Sequence, residues 1–587
     1  MNHILMKMKH NFKYTVLSVA LVAGLSSCED FFNVLPLNEI VLESYYTEEN
    51  DITSVINSCY TGLATTATAT NANPTGAVNL MAAWGEMRSD NIVAGTSLTE
   101  DETQILKENI MPTTRYSNWS PLYTVINRCN TVMHYAPIVN LKDPNYTDSE
   151  LLADLAEVKA LRALCYFYLI RAFRDVPFVT EPSIDDAQNY RVAATPFNDI
   201  LTYLINDLEA VKEDAVRRYP KVLDNTSRIT RYSIYALLAD LYLWKQDYPK
   251  CIEYCDKVID FKKELYEEEI ALKGNNTDLE LFKEIPLISE HPIGSTRSGN
   301  VATKIFGVGN SFESIFELNY EQNQSSSNSF IWNYYNGASG SIGFFSVPPF
   351  LVENIASGVN KVFKITDCRH LEYIEKPGSS STQYAITKYT RTSVTFDSPL
   401  ASATTLPTVT SIRQTAGYAN WIIYRLTDIM LMKAEAEIQV GKSMINDSVA
   451  SNVTLKPYLQ KAFTLVSAVY NRANNKTNLS ADTLKYSDFG GSATTMEDLV
   501  MLERQRELLF EGKRWFDLVR KARREGNNVY LSSNVIRKQT SNTGAIQIKL
   551  TSIDGLYFPY SESELKNNPE LKQNPAYDTD KTSTQSE

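Results

Sequence analysis

The sequence predicts a mainly α fold, a stack of tetratricopeptide-like helix pairs interrupted by long irregular loops. Three observations predict it. Apolar residues recur at helical spacing over much of the 587-residue chain. One segment carries the spacing of a tetratricopeptide unit. The stretches between helical patterns are long and rich in Ser, Thr, Asn and Gly, and loops of that length are uncommon in compact domains unless they serve a purpose.

Amphipathic periodicity places helices over residues 49–63, 119–135, 149–174, 196–218, 230–245, 248–262, 421–440, 456–473 and 495–525. Residues 61–79, 322–346 and 391–417 read as loops. The repeat signal lies in Tyr235, Leu238, Ala239 and Tyr242, followed by Asp247, Tyr248, Cys251, Cys255 and Val258. Ala239 and Cys251 are small where two helices must approach closely, and Tyr242 and Tyr248 fill the space between them. A looser copy starts near Met430, with Ala434 and Gly441 at the small positions and a second helix displaced by an insertion. Such units cannot bury their faces singly, so a further degenerate copy is expected over 119–174.

At the N-terminus, Lys7, Lys9 and Lys13 precede a short apolar run ending in Leu25-Ser26-Ser27-Cys28. That is the layout of a secretory signal, too short to span a bilayer. The last four residues resemble a bacterial lipobox, which makes Cys28 the expected lipidation site and first mature residue. Residues 1–27 are then signal peptide, and 28–587 form one domain. Its scaffold parts are 40–262 and 420–525, its loop-rich insert is 263–419, and its irregular tail is 526–587. Losing three lysines takes the net charge of −12 to −15. An acidic chain of this kind is a poor binder of nucleic acid or anionic lipid by charge.

After Cys28 the chain holds Cys59, Cys129, Cys165, Cys251, Cys255 and Cys368, mostly in apolar helical patterns where cysteine acts as a small hydrophobe. Only His134, His291 and His370 remain. A metal site or histidine-based catalysis has little material, and no Gly-rich phosphate loop or Ser-His-Asp set stands out. No cofactor, no metal and no catalytic residue is expected.

Several separated segments resemble the SusD/RagB family of outer-membrane nutrient-binding lipoproteins. They include Trp84-Gly-Glu-Met-Arg-Ser-Asp-Asn91, the run from Trp119 to Asn130, and Leu161 to Leu169 with Asp175-Val-Pro177 behind it. Later come Tyr424 to Ala436, Arg504 to Leu518, and a tail running from Phe558 through Asn568-Pro569 to Gln573-Asn-Pro575. Tyr560 stands where Ile is usual, and Ala576 where Gly is usual. The resemblance implies a helical SusD-like scaffold whose loops form a ligand-binding face. It implies a surface-exposed, lipid-anchored outer-membrane protein that captures an oligo- or polysaccharide and delivers it to a SusC-like TonB-dependent transporter. Glu29 and Asp30 resemble the family's surface-export signal. Two other readings stay open: a glycan-cleaving enzyme, and a peptide-binding member of the same family.

Sugars lay C–H faces on aromatic rings while amides and charged groups take their hydroxyls. In the loop 319–336, Trp332, Tyr334 and Tyr335 are candidate stacking platforms, with Asn333 and Asn336 as hydroxyl partners. The alternative is that these rings pin the loop to the core. Trp84, Arg88, Asp90 and Asn91 form a second candidate cluster because the family places ligand contacts nearby; an Arg–Asp ion pair between N-terminal helices explains them equally well. Glu503, Glu507 and Glu511 recur every four residues and superficially suggest a glycosidase pair. With Arg504, Arg506, Lys513 and Arg514 beside them, an ion-pair network on one helix is the better reading. Asp367-Cys368-Arg369 reads as a structural turn.

Overall fold

Helices form close to where the periodicity places them, and successive helices lie against one another. The computed structural model describes residues 45–578 except 66–75, 185–189, 275, 290–291, 294–295, 299, 322–326, 337–339, 379–380, 397–407, 415–416, 446–451 and 475–483. Cys28 and the signal segment lie outside the described residues, as do residues 397–407 and 415–416 of the expected loop 391–417.

The main helices are α1 (Glu49–Ala64), α2 (Ala77–Glu86), α3 (Glu100–Leu106), α4 (Ser120–Asn140), α5 (Asp148–Phe173), α6 (Phe197–Val211), α7 (Arg231–Lys245), α8 (Tyr248–Lys273), α9 (Leu426–Ile445), α10 (Asn452–Ala473), α11 (Ala493–Glu507) and α12 (Arg514–Glu525). Packing runs α1–α4–α5–α6–α7–α8–α9–α10, with α11 against both α9 and α10. This is a helical stack of the expected kind. Local chemistry sets the boundaries. The capping box of α5 joins Thr147 and Glu150, whose carboxylate accepts the Thr147 N–H at 2.9 Å. Between α7 and α8, Gln246 takes a left-handed conformation (φ 65°) and Asp247 caps the next helix, with Pro249 in its first turn.

The repeat residues sit at the predicted crossings. Ala239 and Cys251 are fully buried. The Tyr242 and Tyr254 rings stack at 5.8 Å, and both hydroxyls donate to Glu209 of α6, at 2.6 and 2.7 Å. In the second copy, a Cβ on Gly441 would lie 2.8 Å from the Leu455 side chain and 3.1 Å from Tyr458, so α9 and α10 touch there because the residue is glycine.

Three expectations need correction. Residues 421–425 are not helix but a strand that pairs antiparallel with Ser314–Leu318 (Trp421 opposite Leu318); all five residues are buried, and a short, mostly apolar run does not distinguish helix from strand. The expected helix 495–525 breaks after Glu507, where Phe510 (φ 67°) and Gly512 (φ 68°) turn the chain before α12. The expected loop 61–79 ends in the first residues of a helix, Ala77–Glu86, that is buried on every side, and within the expected loop 391–417 Arg391–Phe396 and Val409–Arg413 pair as strands. Strands Arg391–Phe396 and Val409–Arg413 belong to a four-stranded antiparallel sheet with Thr296–Ser298 and Pro292–Ile293. The irregular segment 508–513, strands 314–318 and 421–425, and α2 together form the central layer on which the loops rest.

Candidate ligand-binding face

The candidate loop is held by one asparagine. Asn328 donates its backbone N–H to the Gly417 carbonyl at 2.7 Å and its Nδ2 to the Ala419 carbonyl at 2.9 Å. Its Oδ1 accepts the Ile331 N–H at 3.2 Å, and its carbonyl accepts the Trp332 N–H at 3.2 Å. These bonds open a π-helical turn, Ile331–Asn336. The backbone of Gly417 lies against it: a Cβ there would be 2.8 Å from the Asn328 carbonyl and 3.1 Å from the Trp332 Cβ. Behind the turn, the Asn333 carbonyl accepts the Phe344 N–H at 2.9 Å, and Phe345–Ser346 pairs with Val93–Ala94.

The turn separates the candidate residues. Trp332 and Asn333 are half-buried at the surface. Among the described residues, the Trp332 indole meets no other aromatic ring. Tyr334 and Tyr335 point inward. The Tyr334 ring stacks on Phe330 at 4.8 Å, and its hydroxyl lies 3.0 Å from both the Tyr116 hydroxyl and the Glu102 carboxylate. Arg115 closes this cluster by pairing with Glu102. Burial, reinforced by Tyr334, holds the Tyr116 phenol well above its ordinary pKa and therefore protonated. The Tyr335 hydroxyl donates to the Phe510 carbonyl at 2.8 Å, and that ring is fully buried. As placed, Tyr334 and Tyr335 pin the loop to the core and offer no face to a ligand. The side chain of Asn336 lies outside the described residues.

The second candidate cluster is wholly interior. Trp84, Arg88, Asp90 and Asn91 are all 0% exposed, so none presents a surface to a ligand. The Trp84 indole donates to the Tyr116 carbonyl at 2.8 Å. Arg88 does not pair with Asp90: it donates to Glu108 at 2.7 and 2.9 Å and to the Gly555 and Leu556 carbonyls, with its guanidinium 4.1 Å from the Trp515 ring. Asp90 instead accepts from Arg514 at 2.8 and 3.1 Å and from Gln505 at 3.0 Å. Burial alone would raise the Asp90 carboxyl, and Arg514 outweighs it, leaving the group below its usual range. Asn91 bridges Glu86 and Gln505. The motif ties the N-terminal helices to α11, α12 and the tail.

The periodic glutamates are also buried. Glu507 accepts from Arg369 at 2.9 Å, from Arg425 at 2.7 Å, and from Arg472. Glu503 pairs with Arg369 at 2.8 Å, and Glu511 pairs with Arg425 at 2.7 Å and Lys388 at 2.6 Å. The ion-pair reading holds: Arg506 pairs with Glu503 on the same helix at 3.1 Å, while most of the cations come from distant segments. The Asp367–Arg369 turn is present, with Arg369 donating three bonds to the Asp367 carboxylate. Among the described residues, no group of three or more His, Cys, Asp or Glu is placed to hold a metal ion, and no helix is long and apolar enough to cross a membrane.

Sequence reasoning missed Asn328, Gly417, Glu102 and Tyr116, which fix the Trp332 turn. An Asn three residues before a hydrophobic-aromatic run is a cap signal, but the other three act across tens to hundreds of residues.

Residues 312–577, which contain the Trp332 turn, α9 to α12 and most of the tail, match the model of the SusD family. The chain is 23% identical to SusD-like protein P38 of Formosa agariphila, with 97% of this chain and all of that one covered. It is 28% identical to the starch-binding protein SusD of Bacteroides thetaiotaomicron over 166 residues, 27% of this chain and 28% of that one. A SusD superfamily structure from Bacteroides vulgatus superposes with a TM-score of 0.62 at 17% identity, covering 91% of this chain and all of that one. A laminarin-binding SusD-like protein superposes with a TM-score of 0.58 at 20% identity, with the same coverage. Residues 312–577 therefore carry the SusD-family pattern, and the chain shares the helical SusD-like fold.

Proposed function

We propose that this protein is a surface-exposed nutrient-binding lipoprotein of the outer membrane, anchored through Cys28, that captures a glycan and delivers it to a SusC-like TonB-dependent transporter. One observation carries the binding half: Trp332 is an aromatic ring left half-open on a turn tied down by the hydrogen bonds of Asn328, Asn333, Tyr334 and Tyr335. A ring carried on a backbone held in this way can stack on a sugar with little further ordering of the loop, which lowers the cost of association. Asn333 beside it supplies an amide for hydroxyls. The names of two relatives, one starch-binding and one laminarin-binding, support a glycan as the ligand class. Delivery to a transporter rests on the SusD-family pattern, and so does the reading as a binding protein without catalytic activity.

Two measurements test this. Affinity electrophoresis of the purified mature protein through gels containing neutral polysaccharides is expected to show retardation by at least one of them. Detergent extraction of native membranes is expected to yield a stoichiometric complex with a TonB-dependent barrel. Isolation as a lone monomer, together with unretarded migration in every gel, contradicts the proposal. Hydrolysis of the polysaccharide would favour the enzyme reading instead.

A further inference from the structure

A concavity of about 800 Å³ shares no residue with the Trp332 turn. Its floor is the start of α4, where Trp119, Tyr123 and Asn127 recur every four residues and therefore line one stripe. One wall comes from residues 177–183 with Tyr190 and Val192, and the other from the C-terminal segment around the helix Glu562–Asn567.

The floor is fixed to both walls. The Trp119 ring meets the Tyr560 ring of the C-terminal segment with centroids 5.3 Å apart, and the Trp119 indole lies near the Glu564 carboxylate and partly offsets the upward push that burial gives it. The Tyr123 hydroxyl donates to the Pro177 carbonyl at 2.5 Å, and the Asn127 Oδ1 accepts the Ser183 N–H at 2.7 Å. Tyr123 and Asn127 nevertheless remain half-exposed. At the rim stand Tyr190, 60% exposed, and Asn567, also exposed. The walls add the carboxylates of Glu181 and Glu564. Among the lining residues the single cation is Arg128, whose guanidinium is turned to α1, where it donates to the Ser58 carbonyl at 2.6 Å.

This chemistry selects a ligand class. Two carboxylates and no available cation disfavour phosphates, sulfates and uronates. Ring faces set beside amides and carboxylate acceptors match the C–H faces and hydroxyls of a neutral sugar. The volume falls within the roughly 300–1,000 Å³ of small-ligand sites. We propose that the groove between the start of α4, residues 177–183 and the C-terminal helix, with Tyr190 at its rim, is a second carbohydrate-binding site, taking a short neutral oligosaccharide. It rests on the reading of this chain as a glycan binder, but not on Trp332.

Hydrogen exchange on the purified mature chain tests both sites at once. The probes are neutral hexasaccharides in gluco-, manno-, galacto- and xylo-configurations, each with α and β linkages where they exist. At least one is expected to protect peptides covering 119–130 and 562–571. Tyr190→Ala and Asn567→Ala, both at exposed positions, should remove that protection with unchanged melting. For Tyr190→Ala the affinity loss is expected to be about tenfold or more, as for other stacked rings. Protection confined to 328–336 would overturn the groove and leave the Trp332 site standing. Protection of the groove alone would support the inference and remove Trp332 from the binding site. Absence of groove protection with every hexasaccharide overturns the proposal.

Discussion

Gly85 on α2 and Gly512 in the segment between α11 and α12 meet backbone to backbone: a Cβ on Gly85 would lie 1.7 Å from the Gly512 carbonyl oxygen. Gly512 itself has a positive φ of 68° and lies close to Ala82 and the Trp421 ring. The break between the two helices is thus fitted onto α2, and the Gly512 N–H donates to Glu86 at 3.0 Å.

Gly85→Ala should therefore be among the most damaging single-methyl additions in this chain. Overpacking costs about 1–3 kcal/mol where side chains can yield; here the obstacle is a carbonyl, so a loss at or above the top of that range is expected. Urea unfolding of the mature protein checks it. A midpoint unchanged from wild type would mean that α2 and the 508–513 segment do not pack this way.

Buried carboxyls set a pH dependence with two opposite signs. Asp428 and Glu497 are both held at about 2: burial pushes each up, but Lys513 and Arg504 outweigh it at Asp428, and Arg524, Lys442 and Lys521 do so at Glu497. Their folded values lie below their unfolded ones, so the stability they contribute is complete above about pH 4–5 and is lost as pH falls towards 2. Glu86 behaves in reverse. Burial pushes it up to about 7, against the opposing pull of the Asn91 and Gly512 N–H groups. Its contribution is present below the unfolded value near 4.5 and is lost as pH rises through 7. Glu86→Gln should match wild-type stability near pH 4 and exceed it at pH 8 by roughly 3 kcal/mol, since each pKa unit between the unfolded value of 4.5 and about 7 is worth about 1.4 kcal/mol. Denaturant midpoints at the two pH values decide it; a variant equally destabilised at both would show that Glu86 is ionised in the fold.

Anchoring is tested at one residue. If Cys28 carries the lipid, it holds the membrane affinity that no described helix supplies. Cys28→Ala should shift the protein out of the outer-membrane fraction in cells lacking the transporter. Retention in that fraction would exclude the lipobox reading.

The scaffold was legible because helix periodicity is local: Tyr235 to Val258 states its own pairing, and Gly441 its own close approach. The central network was legible in kind but not in partners. Glu507 draws Arg472, Arg425 and Arg369 from 35, 82 and 138 residues away, whereas spacing along one helix reports only neighbours at three or four positions. The run from Trp84 to Asn91 misled for a related reason. A dense set of Trp, Arg, Asp and Asn looks the same whether it faces a ligand or, as here, Arg514, Glu108 and Gln505 in the interior. Within the loop, the alternation of Trp332 against Tyr334 and Tyr335 depends on a π-helical turn that Asn328 initiates through Gly417, and no local pattern announces it.

The measurement closest to the central claim is a pair of titrations and melting curves on Trp332→Ala and Tyr334→Phe. Trp332→Ala should weaken binding to the glycan that retards the protein by roughly 1–3 kcal/mol, as for other stacked rings, or about tenfold and more. Its melting temperature should stay close to wild type, because the indole is half-open and meets no other ring among the described residues. Tyr334→Phe should do the reverse: it removes a buried hydroxyl from the Tyr116 and Glu102 cluster, a stability cost of about 1–3 kcal/mol, with binding retained. A Trp332→Ala protein that melts lower yet binds its glycan unchanged would contradict the assignment of Trp332 as the platform on which this protein captures its ligand.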